Sequence, residues 1–384
     1  MAALSGGHLA ADFASGSVPA LIPFLTDKFH LSYTLAALLL LAATLSSSLV
    51  QPAFGLWSDR SSALWLIPGG IALAAVGVGA AMVAPVYPLV VLLVFAGGIG
   101  VAAFHPEGAK LALYASGEKR ASGMAYFNIG GNVGYALGAF VTGQLVLQLG
   151  LAKGTLAMVP VVAAAVVLMR ASHYLRTLHP SPERRAALDG EDLPAAMGLL
   201  AIIIGVRSIA WFGLLAFVPL WLVAHGHSKE TANRLLFVML MAGALGTLVL
   251  GPVADAIGLR RTLLLTQMAI PPLILVFVFV GGVPGVVAVS LVGVCVVGTY
   301  GVTMVLSQLY LPHHVGIASG LSIGIAMGIG GIAAVVLGAV ADAVDLKAAL
   351  VASALAPLLG LIVCFRLPAP SRPQERVTAA VALE

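Results

Sequence analysis

Charge is what this 384-residue chain has least of: Asp, Glu, Lys and Arg together make up 9% of it, against roughly 25% in soluble globular proteins. With 60% hydrophobic residues and a mean hydropathy of +1.08, a water-soluble domain is excluded. Cysteine is nearly absent as well. Cys295 and Cys364 both lie inside apolar runs, where thiols act as small hydrophobes, so neither a disulfide framework nor a cysteine metal site is expected. The net charge is only +4, and no basic patch interleaves with aromatics, which excludes nucleic acid as a partner. No Ser/His/Asp set and no metal-ligand spacing marks an enzyme, and no cofactor or metal is expected. The N-terminus lacks the positive n-region of a cleaved signal. Its apolar stretch runs on past Asp12 for about 24 residues, which predicts a retained membrane helix.

What the chain does have is apolar runs. A spanning helix needs about 20 mostly apolar residues, and twelve segments qualify: roughly 3–26, 32–56, 62–83, 87–113, 121–149 and 154–170, then 195–224, 235–254, 262–281, 285–310, 315–340 and 348–365. The fold class expected is an all-α membrane protein with twelve transmembrane helices. One polar, basic stretch interrupts them, predicting an N-terminal six-helix bundle over 1–172, a cytoplasmic linker over 173–194, a C-terminal bundle over 195–366 and a cytoplasmic tail over 367–384. With both termini in the cytoplasm, that side collects Arg60, Lys119, Arg120, Arg170, Arg176, Arg184, Arg185, Arg260, Arg261, Arg366, Arg372 and Arg376; the other side has only Lys28, Lys153, Lys229, Arg234 and Lys347. This asymmetry sets the expected orientation.

The halves echo each other at an offset of about 196 residues: Pro23 answers to Pro219, Gly55 to Gly251, Asp59 to Asp255 and Gly97 to Gly293. Six helices, an even number, separate each pair, so the repeat is parallel and two six-helix bundles enclose a cleft.

Charge inside hydrocarbon is costly and therefore informative, about 2.5–3.5 kcal/mol per group on insertion scales. Asp12, Glu107, Lys110 and Arg207 are the formally charged side chains well inside the segments, accompanied by His8 and His105. His8 and Asp12 are four apart, one above the other on a helix face, where they can share a proton. Glu107 and Lys110, three apart, can pair. His105 and Glu107 point to nearly opposite faces of a regular helix, though Pro106 between them can bend it, and a metal centre of His8, His105 and Glu107 is not expected. Arg207 stands about 15 Å inside its helix and requires a carboxylate, carbonyls, water or an anionic ligand.

GLWSDRSS (55–62) and GPVADAIGLRR (251–261) recur at the duplicated position. They resemble the cytoplasmic signature of the major facilitator superfamily, which implies a conformational latch of Gly55, Asp59, Arg60, Gly251, Asp255, Arg260 and Arg261. The first copy lacks the later glycine and the basic pair. The fifth segment, FNIGGNVGYALGAFVTG, is similar to the glycine-rich fifth-helix signature of superfamily antiporters, with Ala139 and Thr142 where that pattern has proline and glycine; Gly130, Gly134 and Gly138 also suit plain backbone-to-backbone packing. Together with GGHLAADFASGSVPALIPFL (6–25) and FHPEGAKLA (104–112), it resembles the fosmidomycin resistance branch of that superfamily.

The resemblance implies a monomeric exporter in a bacterial inner membrane that exchanges a small anionic or amphipathic drug, such as a phosphonate antibiotic, for protons. Proton coupling is then expected at Asp12, His8, Glu107 and His105, which converge with Lys110 and face Arg207 across the cleft. Substrate contacts are expected from Arg207, Lys110, Asn128, Asn132 and Tyr135. The residues alone leave a proton symporter importing an organic anion equally open, because the direction of transport comes from the resemblance. An intramembrane enzyme built on His105 and Glu107 has no supporting motif.

Overall fold

The computed structural model describes residues 1–60, 63–115, 120–175 and 191–368. Most of the predicted linker and tail, 176–190 and 369–384, lies outside the described residues. Thirteen α-helices run in order: α1 (Ala2–Phe29), α2 (Tyr33–Arg60), α3 (Leu66–Val83), α4 (Tyr87–Ala115), α5 (Arg120–Leu149), α6 (Val159–Leu175), α7 (Pro194–Ala224), α8 (Lys229–Ile257), α9 (Leu259–Phe279), α10 (Gly282–Val297), α11 (Tyr300–Tyr310), α12 (Val315–Ala343) and α13 (Leu346–Cys364).

Helices α10 and α11 together make one span, Gly282–Tyr310, so thirteen helices give the twelve expected crossings. Among the described residues, eleven segments are long and apolar enough to cross a membrane by themselves. The twelfth, α5, is 30 residues long, but its glycine, Asn and Gln content lowers its hydropathy. Its place is set by packing. A Cβ at Gly130, Gly134 or Gly138 would lie 2.4, 2.2 or 2.0 Å from the carbonyl oxygens of Ser5, Leu9 and Phe13, so the two backbones touch along α1 and only glycine fits. Thr142, four residues on, continues the seam by a 2.7 Å hydrogen bond to Ser17.

Helices α1 to α6 pack chiefly on one another, and so do α7 to α13; α5 against α8 and α2 against α12 join the halves. Polar ties between the halves gather at one end of this seam. The carboxylate of Asp342, at the end of α12, accepts from Tyr33 N (2.7 Å), Thr34 N (2.9 Å) and Thr34 Oγ1 (2.5 Å). Ser32 takes the next two amides of α2, those of Leu35 and Ala36. Three orphan donors at that helix start, the amides of Tyr33, Thr34 and Leu35, are thereby satisfied, two of them by the other half of the molecule, while Ala36 makes the first ordinary intrahelical bond. Lys229 pairs with Asp27, and Asn233 donates to the Phe140 carbonyl at 3.2 Å.

Candidate functional site

Helix α1 lies between α4 and α5, and three of the predicted residues meet there. The Nε2 of His8 is 3.3 Å from one oxygen of Asp12 and the Nε2 of His105 is 3.5 Å from the other. His8 is stacked on Phe127 with ring centroids 4.1 Å apart and lies beside Phe104 at 5.8 Å. Its Nδ1 sits 2.8 Å from the Phe127 carbonyl, and that of His105 sits 2.8 Å from the Val101 carbonyl. Gly131 of α5 closes the group: a Cβ there would fall 2.4 Å from His8 Nε2 and 2.7 Å from Asp12 Oδ2.

Glu107 does not join them. Despite Pro106, α4 is one continuous helix, so Glu107 points away from His105 and pairs with Lys110 at 2.7 Å, with its side chain 1% exposed. The expected convergence of five residues is thus a triad, His8–Asp12–His105, and a separate ion pair. The reason is helical geometry, which puts residues two apart about 200° around the axis.

Arg207 on α7 is fully buried and meets neither Asp12 nor Glu107. Its Nη1 donates to Thr299 Oγ1 at 2.6 Å and its Nη2 to Thr303 Oγ1 at 3.5 Å, while Tyr300 covers the guanidinium with its ring centroid 5.4 Å away. Thr299 stands at the break between α10 and α11 and donates its own proton to the Cys295 carbonyl, leaving its oxygen to accept. The Nε of Arg207 has no partner among the described residues. Nor does any carboxylate among them lie within ion-pair distance of this cation. Nε–H and Nη2 share one edge of the planar fork, and that edge carries only the long bond to Thr303.

Lys110 is held by Glu107 rather than standing with Arg207. Asn128 is exposed, and Asn132 and Tyr135 are half-buried; all three lie on the face of α5 turned away from its glycine stripe. Tyr135 is within electrostatic range of Asp12 in its own half and of Tyr300 in the other. The threonines and the tyrosine around Arg207 carried no sequence signal, because hydroxyls are common in apolar helices.

The latch residues are not engaged as expected. A Cβ at Gly55 or Gly251 would meet nothing within 4 Å among the described residues, so neither glycine serves close approach to them. Asp255 is exposed and without an ion pair among the described residues. Arg260 instead donates to the carbonyls of Cys364 and Phe365, 3.3 and 2.9 Å away, capping α13 in its own half; Arg261 beside it is exposed. The side chains of Asp59 and Arg60 lie outside the described residues. Gly258, at φ 98° between α8 and α9, does need to be glycine.

Comparison with known proteins agrees with this architecture. The family model of the Major Facilitator Superfamily matches residues 4–334. The chain is 30% identical over 379 residues to the uncharacterized MFS-type transporter YfnC of Bacillus subtilis, covering 96% of this chain and 92% of the relative. It is 29% identical over 374 residues to the fosmidomycin resistance protein of Escherichia coli, covering 95% and 92%. Among solved structures it superposes on a bacterial homolog of the human lysosomal transporter Spinster, in an inward-facing and occupied conformation, with TM-score 0.75 at 14% identity, covering 95% of each chain. It also superposes on the nucleoside transporter NupG, with TM-score 0.68 at 13% identity, covering 95% of this chain and 98% of that one. A family match over most of the chain, on an all-helical, membrane-crossing architecture, makes this multi-pass membrane protein a member of the Major Facilitator Superfamily, a transporter and not an enzyme.

Proposed function

We propose that the chain is a proton-coupled secondary transporter that exports a small anionic or amphipathic compound of the phosphonate-antibiotic kind by proton antiport. One observation carries the reading: a buried guanidinium with an unpartnered Nε and no carboxylate partner among the described residues, in the half opposite a partly buried His–Asp–His group. A cation at that depth calls for an anion, and the free edge of its fork suits a carboxylate or phosphonate oxygen pair. Asp12, with His8 and His105, carries the proton; Glu107 is the second carboxylate able to do so. Asn128, Asn132 and Tyr135 complete the cleft wall. The name of the E. coli relative points to the same substrate class.

With both termini in the cytoplasm, Asp342, Asp27 and Lys229 tie the outer end shut, while Asp255 at the inner end has no ion pair among the described residues. These ties support an inward-facing state. Outward opening must uncover two amides of α2, and an N-cap contributes about 1 kcal/mol. Asp342→Ala is therefore expected to raise the outward-facing population about fivefold, read as faster labelling of a single cysteine placed in the outer half of the cleft. Unchanged labelling would remove Asp342 from the gate.

The importing symporter is favoured by the Glu107–Lys110 pair, because protonating Glu107 would release a cation for a co-transported anion. Proteoliposomes holding a radiolabelled phosphonate separate the readings. Acidifying the outside is expected to speed efflux. Slowed efflux instead would establish symport, and indifference to the gradient would remove proton coupling altogether.

A further inference from the structure

His8, Asp12 and His105 present three ligand atoms within 4.8 Å of one another, and the hydrogen bonds around them fix what those atoms are. A carbonyl oxygen only accepts, so the Nδ1 of each histidine, 2.8 Å from Phe127 O or Val101 O, must carry a hydrogen. In the neutral rings the lone pairs are then on Nε2, and both Nε2 atoms point at the Asp12 carboxylate. Three lone-pair donors facing one another need a positive centre between them, a proton or a metal ion.

We propose that this triad binds one divalent transition-metal ion of the Zn²⁺ class. Metal–ligand distances of about 2.0–2.2 Å put neighbouring ligand atoms of a tetrahedral site about 3.3–3.5 Å apart, and the Nε2 atoms of His8 and His105 already stand 3.3 and 3.5 Å from one and the other oxygen of the Asp12 carboxylate. The two imidazoles stand at 88° with centroids 5.0 Å apart, which suits adjacent coordination positions. Each donates its far N–H to a backbone carbonyl, the support that ligating histidines almost always have. Gly131 keeps α5 free of a side chain at the point where the ion and a fourth ligand need room. Two imidazoles and a carboxylate select zinc, nickel, copper or iron over magnesium and calcium. Asp12 and His105 retain 18% and 24% side-chain exposure, so an ion has access. The set differs from His8, His105 and Glu107 by the exchange of one carboxylate for another. The proposal stands on the geometry of α1, α4 and α5 and not on the transport reading.

The test uses the full-length chain, purified in detergent with any affinity tag removed, titrated with Zn²⁺ by calorimetry and with Co²⁺ by visible absorption. One ion per chain is expected, with cobalt bands of a four- or five-coordinate site. Asp12→Asn and His105→Gln should each weaken binding tenfold or more, whereas His225→Ala and His227→Ala, in the exposed turn before α8, should leave it unchanged. Absence of stoichiometric binding, or equal binding by both ligand variants, overturns the proposal. Should those variants fail to fold, X-ray absorption on the wild-type zinc complex decides: two imidazoles in the first shell support the site, and one or none rejects it. No substrate or gradient enters the experiment, so its failure leaves the transport reading where it was.

Discussion

Arg207→Lys will fold, insert and still fail to move anionic substrate, and Arg207→Ala will be inactive toward it. Lysine keeps the charge but replaces a planar fork by a compact ammonium, so a bidentate grip becomes a single contact. A hydrogen bond to a charged group contributes about 1.5–3 kcal/mol, and losing one should raise the apparent Kd for a phosphonate roughly 10- to 100-fold. Thr299 and Thr303 would also lose the donors that orient them. The competing role for Arg207, as a lock between the halves through Asp12 or Glu107, has no support in this conformation, because its hydrogen-bond partners Thr299 and Thr303 lie in its own half, at and after the break between α10 and α11. The decisive measurement compares transport of anionic and neutral compounds of similar size at matched expression and melting temperature. Equal loss for both classes would retire Arg207 as the anion site and leave Lys110 as the next candidate.

Asp12→Asn will separate transport from the proton gradient. The amide preserves the size of the side chain and can still face His8 and His105, but it has no proton to give up at any working pH. Substrate binding at fixed pH should survive within a few-fold, whereas gradient-driven accumulation in proteoliposomes should fall to the level of empty vesicles. Proton coupling retained in this variant would shift the site to Glu107, the other carboxylate buried in the N-terminal half. The amide also tests the triad itself. Its NH2 can donate to only one Nε2 where a proton or cation serves both, so His105 should become more mobile in the variant.

Much of the architecture was legible before any coordinates. Run length gave the twelve crossings. His8 and Asp12, four apart, were readable as neighbours because both lie on one helix face. The opposition of His105 and Glu107 was equally readable, and the continuous α4 kept it. The gathering of all five groups into one cluster was not legible, because α4 stays continuous through Pro106 and keeps Glu107 about 200° around its axis from His105, paired with Lys110.

Other features left no trace in the sequence. The tenth apolar run does not falter at Gly298 and Thr299, yet the helix breaks there. A Cβ at Gly298 would lie 2.8 Å from the Gly246 carbonyl, so the break sits where α8 presses on the span. The partners of Arg207 are 92 and 96 residues away in sequence, and those of Asp342 are 308 and 309 away. No periodicity or local motif links such distant positions.

The sequence by itself determined that this chain lives in a bilayer, how many times it crosses, and which few charged groups it carries inside. Those properties follow from transfer free energy summed along a local window, and lipid imposes the same helical solution on every such window. Only the tertiary structure decided which of those charges meet. In lipid the hydrophobic effect does not choose between helix faces, so the choice falls to backbone contacts such as Gly134 against Leu9 and to single polar bonds across the halves. These depend on atoms brought together from distant parts of the chain.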